Sequence, residues 1–344
     1  MAQVDQSRQN AKGAEGAARA RMERLVLPVV GGLLLMFALI GFIGTAIKDP
    51  HPHDIPVGLV GPAPAVQQIT TSFGTNAPGA FQFTTYSSEA DGRAALDSRA
   101  VDGVLIISDA GAHLIIAGAA GDATTGVITA ALTNVFKALG GPLAVETVHP
   151  FASGDAHGLI LFFVVVATLV CSLIVQALML ARAPRAAFAE RVGVVVVFGL
   201  LAGLVGMGTA AWIAGGYGDG FWLAAAMVAL GSAAVGAVVA GLVRLIGPPG
   251  LGLAGLGVVL LGLVTSGGPV GSLLLPDFYR VLAPWMPASP LYSGIRGALY
   301  FDGAGVAVAA AVLAAWLVAG VVLMWVGEMR SAGRARVASA APAH

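Results

Sequence analysis

Residues able to do chemistry in water are few in this chain, and they gather in two places. His51-x-His53-Asp54 and Asp155-x-His157 bring imidazoles and carboxylates within a few positions of each other, the donor types of a zinc centre. A structural zinc site takes four such ligands at set spacing and a catalytic one three, and neither cluster supplies a third and fourth. Both read better as turn and interface residues, with Asp155 as the N-terminal cap of the helix that begins after Gly158. The single cysteine, Cys171, lies inside an apolar run; an internal disulfide is excluded, and the thiol reads as a small packing residue. No Gly-x-Ser-x-Gly elbow occurs. None of the three lysines, Lys12, Lys48 and Lys137, stands in a Gly-x4-Gly-Lys-Ser/Thr loop. The chain carries no P-loop of its own, no catalytic constellation, no metal set and no cofactor motif, and is read as a non-enzyme.

What positions these few residues is mostly apolar. The chain is 57% hydrophobic and 10% charged, with a mean hydropathy of +0.87, against roughly 25% charged residues in soluble domains. So little charge does not cover a globule with a solvated surface, and membrane becomes the default class. The formal net charge is zero, which gives no case for nucleic acid.

Residues 1–24 are polar and basic, with a stretch from Glu15 to Glu23 that could form an interfacial helix. Residues 25–47 follow without a charge, long enough for the ~20 residues a span needs. A cleaved signal peptide is the rival reading, but the apolar core is long and no small-x-small site precedes Lys48. Residues 48–157 change character. Strand patterns fall at Ile55–Val60, Phe81–Tyr86, Val104–Ile107, His113–Ala117 and Leu143–Val148. Helix patterns fall at Ala65–Phe73, from a cap at Ser88 (or Ser87) to Arg99, and from Asp122 to about Leu139. The order β-α-β-α-β-β-α-β is one small α/β domain.

Five more apolar stretches follow, at about 158–181, 192–214, 221–244, 250–272 and 304–327. The expected fold is therefore a polytopic α-helical membrane protein. Six transmembrane helices, one plus five, carry a small α/β domain between the first and second, and residues 328–344 form a tail. Orientation follows from basic residues beside the spans. With both termini cytoplasmic, twelve lie inside: Arg8, Lys12, Arg19, Arg21, Arg24, Arg182, Arg185, Arg191, Arg244, Arg330, Arg334 and Arg336. Six lie outside: Lys48, Arg93, Arg99, Lys137, Arg280 and Arg296. The 48–157 domain is then extracytoplasmic, on a protein of the plasma membrane.

Within the spans, Gly199-x-x-x-Gly203, Ser232-x-x-x-Gly236 and Gly236-x-x-x-Ala240 allow close helix approach, as internal packing or as a dimer face. Gly250, Gly252, Gly255, Gly257 and Gly262 make the 250–272 stretch either deformable or very tightly packed. Gln176 reads as a helix–helix hydrogen bond. The central stretches contain no ionisable group, which weighs against a proton relay. The segment 273–303 is too apolar for a free loop. Asp277, Tyr279, Arg280, Trp285, Tyr292 and Arg296 are interleaved there with four prolines. It reads as an interfacial or re-entrant hairpin with its aromatics in the outer belt, either a structural plug or a lateral gate for an amphiphile.

The pattern resembles the type-2 ATP-binding-cassette permeases, in the phage-infection-protein-like branch. The residues that carry the resemblance are Ile55-Pro56-Val57-Gly58-Leu59-Val60, Asp102-Gly103-Val104-Leu105-Ile106-Ile107, Leu114 through Gly121, Phe151 through Gly158, and Pro287 through Phe301. They are structural motifs spread over about residues 25–327. The resemblance implies a homodimeric or pseudo-dimeric translocation unit in membrane lipid, a separate cytoplasmic ATP-binding subunit, and amphiphilic or polymeric cargo moved outward. It places a coupling segment at 182–191, with Arg182, Arg185, Phe188, Glu190 and Arg191, where a plain basic loop is the alternative. The lack of intramembrane charge keeps a second reading open: a non-transporting envelope scaffold or receptor whose external domain binds a partner.

Overall fold

A computed structural model of the protein describes residue 26 and residues 29–109 and 111–340. The expectations for residues 1–24 lie outside these. Two units are described separately, divided at Lys48. In the first, helix α1 (Val29–Ile47) is 19 uncharged residues, about 28 Å at 1.5 Å per residue, with apolar side chains such as Leu34, Phe37 and Ile40 exposed.

The second unit begins with the sheet domain. Its elements are β1 (Ile55–Val60), α2 (Ala63–Asn76), β2 (Phe81–Thr85), α3 (Glu89–Asp97), β3 (Gly103–Ser108), β4 (Gly111–Ala117), α4 (Asp122–Ala138) and β5 (Leu143–Val148). This is the element order expected from the sequence. The strands lie in the order β2-β1-β3-β4-β5, all neighbours parallel except the β3–β4 hairpin. Central strands must bury both faces, and β1 and β4 are accordingly runs of Ile, Leu, Val and Ala buried along most of their length. Ile55, Leu59, Leu105, Leu114, Ile128 and Leu132 form the larger core with α2 and α4. Ser88 caps α3 by accepting from Asp91 N. Asp122 does not cap α4; it is the first helical residue, and Gly121, at φ 132°, takes the cap position.

Beyond it lie α5 (Leu159–Arg182), α6 (Phe188–Ala214), α7 (Phe221–Ile246), a helix of 17 residues (Pro249–Thr265), α10 (Asp277–Leu282), α11 (Ala288–Tyr300) and α12 (Val306–Ala340). The helix Pro249–Thr265 comprises α8 (Pro249–Ala254), a π-helical segment (Gly255–Leu260) and α9 (Leu261–Thr265). Five helices, α1, α5, α6, α7 and α12, are long and apolar enough to cross a membrane. The stretch expected at 250–272 is helical only to Thr265, because Gly267, Gly268 and Gly271 all take positive φ and end it. Its glycines divide: a side chain on Gly250 would strike the backbone of Leu242, whereas Gly252 and Gly257 face open space and the π-helical turn begins at Gly255.

Helix α7 is the centre of the bundle. Gly199 and Gly203 of α6 sit against Ala229 and Ala225 of α7, so that motif is spent on internal packing. Ser172 of α5 and Ser232 of α7 share a 3.0 Å hydrogen bond. Gln176, expected to make a helix–helix hydrogen bond, is buried beside Gly236 of α7. Cys171 is exposed rather than packed. Helix α11 is driven between α7 and α12: Leu291 occupies the space above Gly231, and Gly294 lies against Met227 and Ala309.

Candidate functional site at the sheet–bundle junction

The sheet domain and the bundle share a core. Phe301, at the end of α11, is 3% exposed and packs with Val60, Leu96, Val104 and Ala119 of the sheet domain. Its ring lies 4.9 Å from that of His149 and under the guanidinium of Arg99, 5.1 Å away. Gly154 meets the backbone of Ala214, with no room for a side chain. Among the described residues, the four non-glycine positions with left-handed backbone are Asp54, Arg99, His149 and Asp302, and two of them, Arg99 and His149, lie against Phe301. Non-glycine residues in that region are strained, and such strain concentrates at functional sites.

Arg99 shows how the strain is used. Helix α3 ends in a Schellman motif, with Ala100 N bonded to Ala95 O at 2.8 Å and Arg99 N to Leu96 O at 3.0 Å. The left-handed position of that motif is normally glycine, and here it is Arg99, at φ 62°. The side chain is thereby thrown out of the sheet domain into the bundle. Its Nη1 donates to Ser293 O at 3.0 Å and Ala304 O at 3.2 Å, and its Nη2 to Ser293 Oγ at 3.0 Å. Arg296 of α11 reaches the other way, donating through Nη1 to Ala119 O at 3.3 Å and to Ala120 O, with its guanidinium 4.5 Å from the Tyr292 ring centre. The two modules are thus latched by a reciprocal pair of arginines, each bonded mainly to backbone carbonyls of the other.

Between these latches lies a cavity of about 300 Å³. Arg99, Asp102, Asp122, His157, Tyr292 and Arg296 bring its ionisable groups, and Thr124, Ser266, Ser289 and Ser293 its hydroxyls. Asp102, at the head of β3, is only partly exposed, and burial pushes its carboxyl up to about 6, opposed by the attraction of Arg296 and Arg99. The same burial lowers Arg99 to about 10, with repulsion from Arg296 adding to it. Asp122 Oδ2 and His157 Nδ1 pair at 2.7 Å, both well exposed. Asp155 turns its carboxylate to the start of α5, accepting from Ile160 N at 3.0 Å and Leu161 N at 3.3 Å; it serves these N–H groups from three residues before the N-cap position, which is Gly158. His53, near Asp277 at 3.9 Å, belongs to a separate surface cluster. Among the described residues no group of histidines, cysteines and carboxylates could hold a metal ion.

A second hollow, about 350 Å³, adjoins this cavity and shares Arg99, Ser289 and Ser293 with it. Its other lining is Ser98, Pro284 and Pro290, Gly305, and Val308, Ala309 and Val312 of α12. A polar chamber thus opens beside a largely apolar groove that runs onto α12, a helix long and apolar enough to cross a membrane, where Val308 is 72% exposed.

The six residues expected at an outer gate do not form one site. Tyr292 and Arg296 line the cavity. Arg280 instead bridges Asp277 at 2.9 Å and Asp54 at 2.8 Å, tying α10 to the strand entering the sheet. Tyr279 and Tyr292 are each 5% exposed and do not join an aromatic belt; Tyr292 is held inward because its hydroxyl donates to Gly158 O at 3.2 Å. Trp285 is 65% exposed, and its carbonyl accepts from Trp316 Nε1 at 2.6 Å.

At the opposite end of the bundle, Arg191 is buried and donates to Ala186 O and Pro184 O at 3.1 and 2.9 Å, which fixes the 182–191 turn from inside. Glu190 accepts from Ala187 N at 2.7 Å. Phe188 leans onto the Val195, Ala237, Ala240 and Met324 cluster instead of projecting from the turn. Arg182 and Arg185 are left exposed, beside a hollow of about 510 Å³.

Arg99, Asp102, Asp122 and His157 were not singled out for a shared site by sequence. The signal lay in the stretches Leu114–Gly121, Phe151–Gly158 and Pro287–Phe301, which all converge on this seam. The chain is a polytopic helical membrane protein with a small sheet. Comparison with protein-family models, curated proteins and solved structures finds no match to it.

Proposed function

We propose that this protein is the membrane permease subunit of an exporter that moves an amphiphile outward, powered by a separate cytoplasmic ATPase, as in the type-2 ATP-binding-cassette permeases. In this reading Pro249–Thr265 completes a set of six spans. Both termini are cytoplasmic, the sheet domain stands outside the plasma membrane, and two copies form the working unit. The observation that carries the proposal is the polar cavity joined to an apolar groove, since together they match the two halves of an amphiphile at the level where headgroups meet acyl chains. The 182–191 turn supports the energy-coupling part: it is rigid from within, basic on its exposed side, and next to a hollow that could seat a partner.

Gentle solubilisation and capture of the full chain tests this directly. A stoichiometric nucleotide-binding subunit should remain bound in the wild type, and Arg185→Glu should release it without changing the melting temperature. Retention of the subunit by that variant would remove the 182–191 assignment.

The arginine latches favour one other reading. A sheet domain locked this firmly to the bundle would also suit a receptor or scaffold that presents a fixed surface. Full function after deletion of residues 55–148, in a protein that still inserts, would eliminate that alternative.

A further inference from the structure

The cavity's chemistry narrows what an amphiphile bound there must look like. Of the five N–H groups on each guanidinium, Arg99 commits three to hydrogen bonds and Arg296 two. Arg296 Nε is buried with no partner among the described residues. Both arginines line one chamber and keep N–H groups beyond those committed to the protein, so an acceptor placed there finds donors on each. Two guanidiniums meet the single carboxylate of Asp102 in the less exposed part of the chamber and leave one positive charge there, whereas Asp122 and His157 pair with each other well exposed, where solvent screens the carboxylate. A monoanion with at least two acceptor oxygens balances that charge and offers one oxygen to each fork, the arrangement in which arginine recognises phosphate. The volume of about 300 Å³ equals roughly ten waters at about 30 Å³ each, room for a phosphodiester with a small hydroxylated substituent facing Thr124, Ser266 and Ser289.

The adjoining groove supplies the other half. Pro284, Pro290, Val308 and Val312 offer no charge, and the groove meets the polar chamber at Arg99 and Ser293.

We propose that the junction binds one phospholipid-like amphiphile bearing a single negative charge, with its phosphate between Arg99 and Arg296 and an acyl chain along Val308 and Val312. This rests on the permease reading for its role as cargo, but the binding itself is testable without transport.

The experiment titrates the full-length protein, in a nonionic detergent, with dioctanoyl-phosphatidylglycerol and dioctanoyl-phosphatidylcholine, followed by native mass spectrometry. Inorganic phosphate serves as a head-only competitor. Phosphatidylglycerol should bind at least tenfold more tightly than phosphatidylcholine. Arg296→Gln should weaken phosphatidylglycerol about tenfold. Because Arg296 also latches the domains, a second variant is needed: Val308→Trp, which adds bulk at an exposed position of the groove and replaces neither arginine, should weaken phosphatidylglycerol similarly while leaving the melting temperature unchanged. Equal binding of the two lipids overturns the headgroup assignment. Undiminished phosphatidylglycerol binding by Val308→Trp, with full displacement by millimolar phosphate, overturns the amphiphile and leaves a bare anion site. Loss of lipid selectivity alongside a co-purifying ATPase would remove this proposal alone; lipid selectivity with no ATPase would remove the energy source and keep the site.

Discussion

Asp102 is the residue whose protonation this fold controls most directly. A free aspartate titrates at 3.8, and in the cavity Asp102 is pushed up to about 6 by burial. The folded state therefore holds the proton more tightly than the unfolded one between these values. Any stabilisation from Asp102 is complete below about pH 4 and is lost as pH rises through 6. At about 1.4 kcal/mol per pKa unit, the ionised carboxylate costs at most about 3 kcal/mol at neutral pH. Asp102→Asn should then melt at an equal or higher temperature than wild type at pH 7.5, and should lack the wild type's decline between pH 4.5 and 7. Melting curves of the two proteins across that range check this; a clearly less stable variant at pH 7.5 would mean that attraction to Arg99 and Arg296 outweighs desolvation. Arg99 makes the opposite trade. Its left-handed backbone costs about 1–2 kcal/mol, offset by three hydrogen bonds and the face of Phe301. Arg99→Gly removes both, and should loosen the sheet domain from the bundle although it relaxes the helix end; faster amide exchange at residues 293–305 would report it.

At the scale of elements, glycines that look alike in sequence have opposite roles. Gly203 of α6 lies directly against the backbone of Ala225 in α7, whereas Gly208, one and a half turns later, has nothing within 4 Å. Gly203→Val should therefore force the helices apart, at a cost on the order of 1–3 kcal/mol for overpacking. Gly208→Ala should be neutral or stabilising, by up to about 1 kcal/mol from helix propensity in water. Thermal melts in the same detergent distinguish the two, and equal effects would contradict the α6–α7 interface. Ser172 and Ser232 link α5 to α7; such bonds within membranes average about 0.6 kcal/mol, so Ser172→Ala should be a small perturbation, measurable but not disruptive.

For the whole molecule, the orientation proposed above has a direct consequence. Lys137, at the end of α4, and Arg185, in the turn after α5, are both exposed. In a Cys171→Ser background, Lys137→Cys should react with a membrane-impermeant maleimide added to intact cells, and Arg185→Cys only after permeabilisation. The reverse labelling would invert the protein and place the cavity, groove and sheet domain on the cytoplasmic side. The shared core around Phe301 makes a further point: removing the sheet domain exposes a bundle surface built to be buried, so the two modules are expected to melt as one cooperative unit.

Local sequence determined the elements. Alternation and β-branching in Ile55–Val60 and Leu143–Val148, the Ser88 cap, and long uncharged runs at 29–47, 159–181, 221–243 and 306–327 act over a few residues or by sheer length, so each could be read without its neighbours. Asp155 was legible as a partner for the start of α5 for the same reason. Four things were decided only in three dimensions. Gly255–Leu260 became a π-helical turn, and the helix that begins at Pro249 stopped at Thr265, ahead of Gly267, Gly268 and Gly271, which all take positive φ. Tyr279 and Tyr292 turned inward because their surroundings, not their type, supplied burial and, for Tyr292, a partner at Gly158 O. The outer-loop residues split between an Asp54–Arg280–Asp277 cluster and the cavity. Arg99 and Arg296, 197 positions apart, met in one cavity because a left-handed helix end aimed the first into the bundle and α11, inserted beneath the sheet, aimed the second out of it. Charge pairing across such separations leaves no periodic trace along the chain, since it depends on how finished elements pack.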